Sequence, residues 1–266
     1  MSELSVRRPA VAGQFYPANP DRLRREIAKY IDQASLPPGL GMVRAVIAPH
    51  AGTIYSGPTA GYAFKALRQV ADDVATVFLL GPAHRVPVEG VALGSYSAFR
   101  TPLGDVPVDV DRVSDMLDCP SLYSRSSGAH DFEHCLEVEV PFLQVVLSDF
   151  QLVPMLFGRV APRKVAADLV DRVRHGDLVV VSSDLSHFYS YEAARKLDQG
   201  FLNALLGGDE RNVGAGEACG RAPVATLMDM AERLKWEPHL LDYRTSGDTA
   251  GDRSRVVGYA SIAYTS

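Results

Sequence analysis

The 266-residue chain is poor in sulfur and tryptophan, with three cysteines and a single Trp. Cys119, Cys135 and Cys219 form no CxxC pair, and so odd and scattered a set excludes both a disulfide framework and a zinc ribbon. No uninterrupted apolar run reaches the ~18 residues that a membrane-spanning helix needs. Met1 to Pro9 carries charges but no apolar stretch of signal-peptide length, so a cytoplasmic protein without a membrane partner is expected. A basic surface is missing too. The formal net charge is −5, and the longest basic stretch, Arg22, Arg24, Arg25 and Lys29, is spread along an amphipathic helix expected from Asp21 to Gln33. A solvated helix face accounts for it, and nucleic acid is excluded as a partner because phosphate neutralisation needs clustered Lys and Arg.

Length permits one large or two small domains and burial of roughly three quarters of the unfolded surface. Repeats and low-complexity segments are absent, and the one linker-like stretch, Ser35 to Gly41, sets apart only a short N-terminal arm, so a single domain over 1–266 is expected. Short apolar runs rich in β-branched residues predict strands at Val43 to Ala48, Val74 to Leu80, Leu152 to Phe157 and Leu178 to Val181, with Val256 to Tyr264 and a weaker Val88 to Leu93. Helical patterns alternate with them at Pro58 to Val70, Leu136 to Leu147, Lys164 to Arg174, Glu192 to Leu206 and Pro223 to Leu234. The rhythm predicts an α/β fold: a single domain with a central mixed or largely parallel sheet flanked by helices.

The chemistry-bearing residues stand at the ends of these strands. RAVIAPH delivers His50, VFLLGPAH delivers His84, and VVVSSDLSH delivers Asp184 and His187. Ligands of open α/β sheets gather beyond the carboxyl ends of the strands, so these exits are expected to share one site. A lone histidine after a strand is more often a hydrogen-bonded structural residue; the repeated grammar of apolar strand, Pro and His favours ligands. Two imidazoles suit iron, copper, zinc or nickel better than magnesium or calcium. Cys219 precedes a helix and neighbours Arg221, so the dipole and the cation are expected to favour its thiolate, as metal ligation or nucleophilic use requires; a small half-buried hydrophobe is the plainer reading, outweighed only by His50 and His84. His187 is the candidate general acid or base, with Asp184 orienting it or a ligand, although Ser183 or Asp184 also fits a helix N-cap. Tyr55 is placed to line the same pocket. In HDFEHCLEVEVPFLQ, His134 and Glu137 compete for a substrate-facing role against a plain solvated face, and some of His130, Glu133, His134, Glu137 and Glu139 are expected to be exposed.

Six ordered segments resemble the Memo family, also labelled protein B of the AmmeMemoRadiSam set: RRPAVAGQFYP, APHAGTIYSGP, LGPAH, EHCLEVEVPFLQ, SSDLSHF and ACGRAPV. The resemblance implies a fold similar to class III extradiol dioxygenases, with a metal pocket at one end of the sheet. It implies that His50, His84 and Cys219 match the metal positions, with Asp184 and His187 beside them. Dioxygenase relatives use two histidines and a carboxylate, so a thiol in the third position departs from that pattern and favours iron or copper(I), with zinc as a further fit. The family's EHS reads Glu133-His134-Cys135 here, which suggests a second sulfur near the pocket. Phe15-Tyr16 forms an aromatic arm, so Tyr16, Tyr55, Glu137 and Arg221 are expected to line the pocket, with His134 among the catalytic candidates. Relatives travel with a radical-SAM protein, which the resemblance implies as a partner. The expected function is a metal-dependent, dioxygenase-like redox reaction on a small molecule. The alternatives are a non-catalytic metal-handling or peptide- or anion-binding protein, and a metal-free hydrolase using Cys219 with His187.

Overall fold

Asn19 starts the first helix by accepting the Arg22 N–H at 2.9 Å, and Pro20 opens it at the position where a missing N–H costs nothing. In this computed structural model residues 5–266 are described; the first four lie outside the described residues, and with them the start of the Met1 to Pro9 stretch read for a signal. Strand β1 (Ser5–Arg7) precedes α1 (Pro20–Gln33), whose Leu23, Ile27 and Ile31 bury one face. Then follow β2 (Val43–Ala48), α2 (Thr53–Leu67), β3 (Thr76–Pro82), β4 (Val91–Leu93), the hairpin β5 (Tyr96–Thr101) and β6 (Gly104–Pro107), α3 (Val110–Leu117), β7 (Tyr123–Arg125) and α4 (Ser127–Asp131). The second half runs α5 (Cys135–Val146), β8 (Gln151–Phe157), α6 (Pro162–Arg172), β9 (Asp177–Ser182), β10 (His187–Tyr189), α7 (Tyr191–Leu206), α8 (Glu210–Ala215), α9 (Arg221–Leu234), β11 (Glu237–Thr245), α10 (Ser246–Thr249) and β12 (Val256–Thr265).

The middle of the main sheet is β2-β9-β3-β8, all parallel, with almost every side chain buried, as expected of strands covered by helices on both faces. Antiparallel β12 and β4 extend it on either side, so the single α/β domain has a mixed sheet. One edge of β12 pairs with β11; the other is shared by β2 along residues 262–265 and by β10 along 256–257. A small separate sheet, β1-β5-β6, holds the N-terminal arm. Among the described residues no helix is long and apolar enough to cross a membrane.

The helix expected from Pro58 begins at Thr53 instead. Pro58 sits inside α2, where its missing N–H leaves free the carbonyl of Ile54, a residue 61% exposed and open to water. Gly57 and Gly61 bring α2 against α1: a methyl group on Gly61 would stand 2.4 Å from the Tyr30 carbonyl oxygen. Asp184 caps no helix, because the chain after β9 passes into β10 and α7 starts only at Tyr191.

Candidate metal centre

Three adjacent parallel strands each release a polar side chain two residues past their ends: His50 after β2, His84 after β3 and Asp184 after β9. A cross-strand bond ties the loops together, since Asp184 Oδ1 accepts the backbone N–H of His50 at 2.8 Å. Cys219, just before α9, is held against the same loop by its N–H to the Asp184 carbonyl at 3.2 Å, and its Sγ accepts the Asp184 N–H at 3.3 Å. Sγ then lies 3.5 Å from His50 Nε2.

Donor atoms of His50, His84 and Cys219 all fall within 4.8 Å of one another. Each imidazole is also gripped from behind. His50 Nδ1 is 2.8 Å from Ser182 Oγ, and His84 Nδ1 is 2.9 Å from Glu133 Oε1, so Nε2 is the nitrogen each ring has left to offer. An outer partner on the second ring nitrogen is the arrangement that fixes tautomer and aim in metal-binding histidines. Burial first, and then the neighbouring His134 and His84, hold His50 well below the usual imidazole range, so it is neutral, as a ligand must be. Two imidazole nitrogens and one sulfur fit a borderline or soft transition metal.

The expected thiolate is corrected. Burial and the Asp184 charge push the Cys219 thiol up to about 12 against the bonds from the Asp184 and Gly220 N–H groups. Arg221 brings no relief: its guanidinium turns away, to the carbonyls of Gly214 and Gly216. With Cys219, Pro82 and Phe157 it lines a second cavity of about 430 Å³; neither Arg221 nor Cys219 lines the histidine pocket.

That pocket, about 720 Å³, is lined by His50, His84, His134, Asp184 and His187, by the aromatic rings of Phe15, Tyr55, Phe188 and Tyr259, and by Arg85 and Arg255. His134 stands at the N-cap of α5, stacked on His84 with ring centroids 4.9 Å apart. Burial raises the Asp184 carboxyl, against the pull of His187 and the His50 N–H. Phe188 is 61% exposed at a φ of 63°, a backbone conformation costly for an aromatic residue, and Arg255 lies over its ring at 5.2 Å.

Tyr16 and Glu137 are not pocket residues. The Glu137 carboxylate is buried in the N-terminal arm, taking Arg7 at 2.5 Å, the Tyr16 hydroxyl at 2.6 Å and the N–H groups of Ala10 and Val11. Of the five residues singled out in that segment none is exposed: His130, Glu133, Glu137 and Glu139 are buried and His134 is half-buried, Glu137 and Glu139 because α5 runs between the main sheet and the arm. Cys135 points into the core and donates its thiol proton to the Pro82 carbonyl at 3.1 Å, so it is no second sulfur for the pocket.

The sequence assigns no role to Ser182 and gives Glu133 only as a member of the HDFEHCLEVEVPFLQ segment; the signal for both is that a metal-binding imidazole needs a polar partner on its second nitrogen, and Glu133 adjoins His134 while Ser182 ends the strand that leads to Asp184. Burial would raise the Glu133 carboxyl, but hydrogen bonds from His134 and His84 outweigh it and hold it far below the usual range.

A mixed-sheet α/β domain with a His–His–thiol cluster at the strand exits is thus the class defined by fold and site. The family model described as Memo-like protein matches residues 7–263, and the chain belongs to that family. Relatives described as MEMO1 family proteins include one from Archaeoglobus fulgidus, 36% identical, and one from Sulfolobus acidocaldarius, 34% identical; each alignment covers 97% of this chain and 99% of the relative. Among solved structures, an uncharacterized protein from Escherichia coli K12 shares the fold with a TM-score of 0.51 and 12% identity, over 83% of this chain and 99% of that one.

Proposed function

We propose that this protein is a metal-dependent redox enzyme, dioxygenase-like, in which His50, His84 and Cys219 bind iron or copper, with zinc as a further fit. The observation that carries this reading is that both imidazoles are oriented from behind, by Ser182 and Glu133, toward a common sulfur. The bound ion would supply Lewis acidity or single-electron chemistry. His187 faces the cavity as the proton-transfer residue, Asp184 anchors the His50 loop beside it, and His134 stacks on His84 to close the donor cluster. The aromatic walls suit an apolar or aromatic body. Arg85 and Arg255, which form no ion pair among the described residues, suit an anionic end on a small substrate. A reducing cytoplasm suits a chain whose three cysteines are all free.

Metal analysis of protein purified without chelator tests it. About one iron or copper ion per chain is expected in the wild type, with loss in Cys219→Ser and His84→Ala. Equal, negligible metal in all three samples ends the reading. A non-catalytic metal-handling or anion-binding protein is the second reading, favoured by a thiol, that of Cys219, standing where a carboxylate would serve oxygen chemistry. Oxygen uptake that depends on His187 would count against it.

A further inference from the structure

Ser182 Oγ, behind His50, has three polar neighbours at 2.8 Å each: His50 Nδ1, the Cys135 carbonyl and Glu139 Oε1. A hydroxyl has one proton to give and two lone pairs with which to accept. Three contacts of this length need three protons, and Ser182 supplies one. The Cys135 carbonyl has none, so it takes that proton. His50 supplies the second from Nδ1. The third has only one source, the Glu139 carboxyl.

Glu139 is completely buried in α5, and its second oxygen, Oε2, has no hydrogen-bond partner. An ionised carboxylate there would leave full charge on an unpaired buried oxygen and set two acceptors against each other over the single Ser182 proton. Burial, with the Asp184 charge adding to it, pushes the Glu139 carboxyl well above the usual range.

We propose that Glu139 is a positioning residue of the metal centre: a carboxyl that keeps its proton and donates it to Ser182, so that Ser182 accepts from His50 Nδ1–H and His50 must present a bare Nε2 to the metal. The proton count then closes across the site. Glu139 and His50 donate to Ser182, Ser182 donates to Cys135, and the Cys219 thiol, 3.5 Å from His50 Nε2, donates there until a metal displaces its proton. The role rests on the metal reading above, but it is tested first without metal.

Three variants separate the possibilities. Glu139→Gln keeps a donor without an ionisable proton, Glu139→Leu removes the donor, and Ser182→Ala removes the relay should the leucine fail to fold. In metal-free wild type at neutral pH, infrared spectra should show a protonated-carboxyl stretch that Glu139→Gln lacks. Ring nitrogen shifts should place His50 on the Nδ1–H tautomer in wild type and Glu139→Gln, with a mixture of tautomers in Glu139→Leu and Ser182→Ala. Cobalt(II) titration should give Glu139→Gln within about threefold of wild type, and the other two weaker by roughly 10–100-fold. No such band in wild type, or His50 shifts in Glu139→Gln that move as far as in Glu139→Leu, would overturn the proposal. A wild type that takes up no cobalt removes the metal reading, and the infrared band and His50 shifts still decide where the proton sits.

Discussion

Glu133 grips His84 twice: Oε2 accepts its backbone N–H at 2.6 Å and Oε1 meets its Nδ1 at 2.9 Å. The same carboxylate takes the N–H groups of His134 and Cys135 at 2.9 and 3.2 Å. One side chain therefore shapes the His84 loop, aims the ring and caps the start of α5. Glu133→Ala should weaken metal binding by roughly 10–100-fold and lower stability by about 1–3 kcal/mol, because buried donors lose their acceptor. Metal titration and urea unfolding check this; affinity within twofold of wild type would show that Glu133 does not orient the ligand.

Cys219 should resist alkylation in the metal-free protein. Its thiol is pushed up to about 12, so at neutral pH almost none of it is the nucleophilic thiolate, whereas Cys119 is partly exposed in a loop. Iodoacetamide followed by peptide mass spectrometry should find label on Cys119 well before Cys219. Rapid labelling of Cys219 that is lost in His187→Ala would instead revive a metal-free hydrolase.

His130 links pH to stability. It is buried with Nε2 at 3.0 Å from the Ala92 carbonyl, and desolvation lowers it from 6.5 to about 4. Between these values the unfolded chain binds a proton that the folded chain refuses. The stability from the neutral ring is thus full above pH 6.5 and is lost as pH falls toward 4, by about 3 kcal/mol in all. Chemical unfolding of wild type and His130→Gln across this range should give curves that converge on acidification. Parallel curves would remove His130 as the cause.

Two glycine substitutions should act in opposite directions. Gly61→Ala places a methyl group 2.4 Å from the Tyr30 carbonyl oxygen, so α1 must shift, at a cost of about 1–3 kcal/mol that exceeds the helix-propensity gain. Gly200 in α7 has nothing within 4 Å of the added methyl, and Gly200→Ala should stabilise by up to about 1 kcal/mol. Thermal melts of the pair decide it, and a Gly61→Ala protein as stable as wild type would refute the close helix approach.

The central strands were legible in the sequence because strands covered on both faces carry nothing but apolar, mostly β-branched residues, and β2 keeps its expected bounds. The meeting of His50 and His84 was legible too, since strand exits of a parallel sheet share one rim; Cys219, which follows no strand, was joined to them by its place before a helix and by the family resemblance. Strand β11 was not. It pairs only with β12 and is half-buried along most of its length, so Pro238, His239, Asp242 and Arg244 break any apolar signature.

Protonation was the other blind spot. Cys219 beside Arg221 and a helix start looks electropositive in one dimension, but the side chain of Arg221 points elsewhere and desolvation decides the thiol. Tyr16 and Glu137 misled for a related reason. Polar residues near a motif resemble a binding face until Arg7, from the far end of the chain, is seen to neutralise them.

Cys219 also acts as a partition. Its sulfur touches His50 on one side, while the residue borders the chamber of Pro82, Phe157 and Arg221 on the other. A ligand in the Arg221 chamber therefore meets Cys219 without crossing the histidine pocket, which the residue itself does not line.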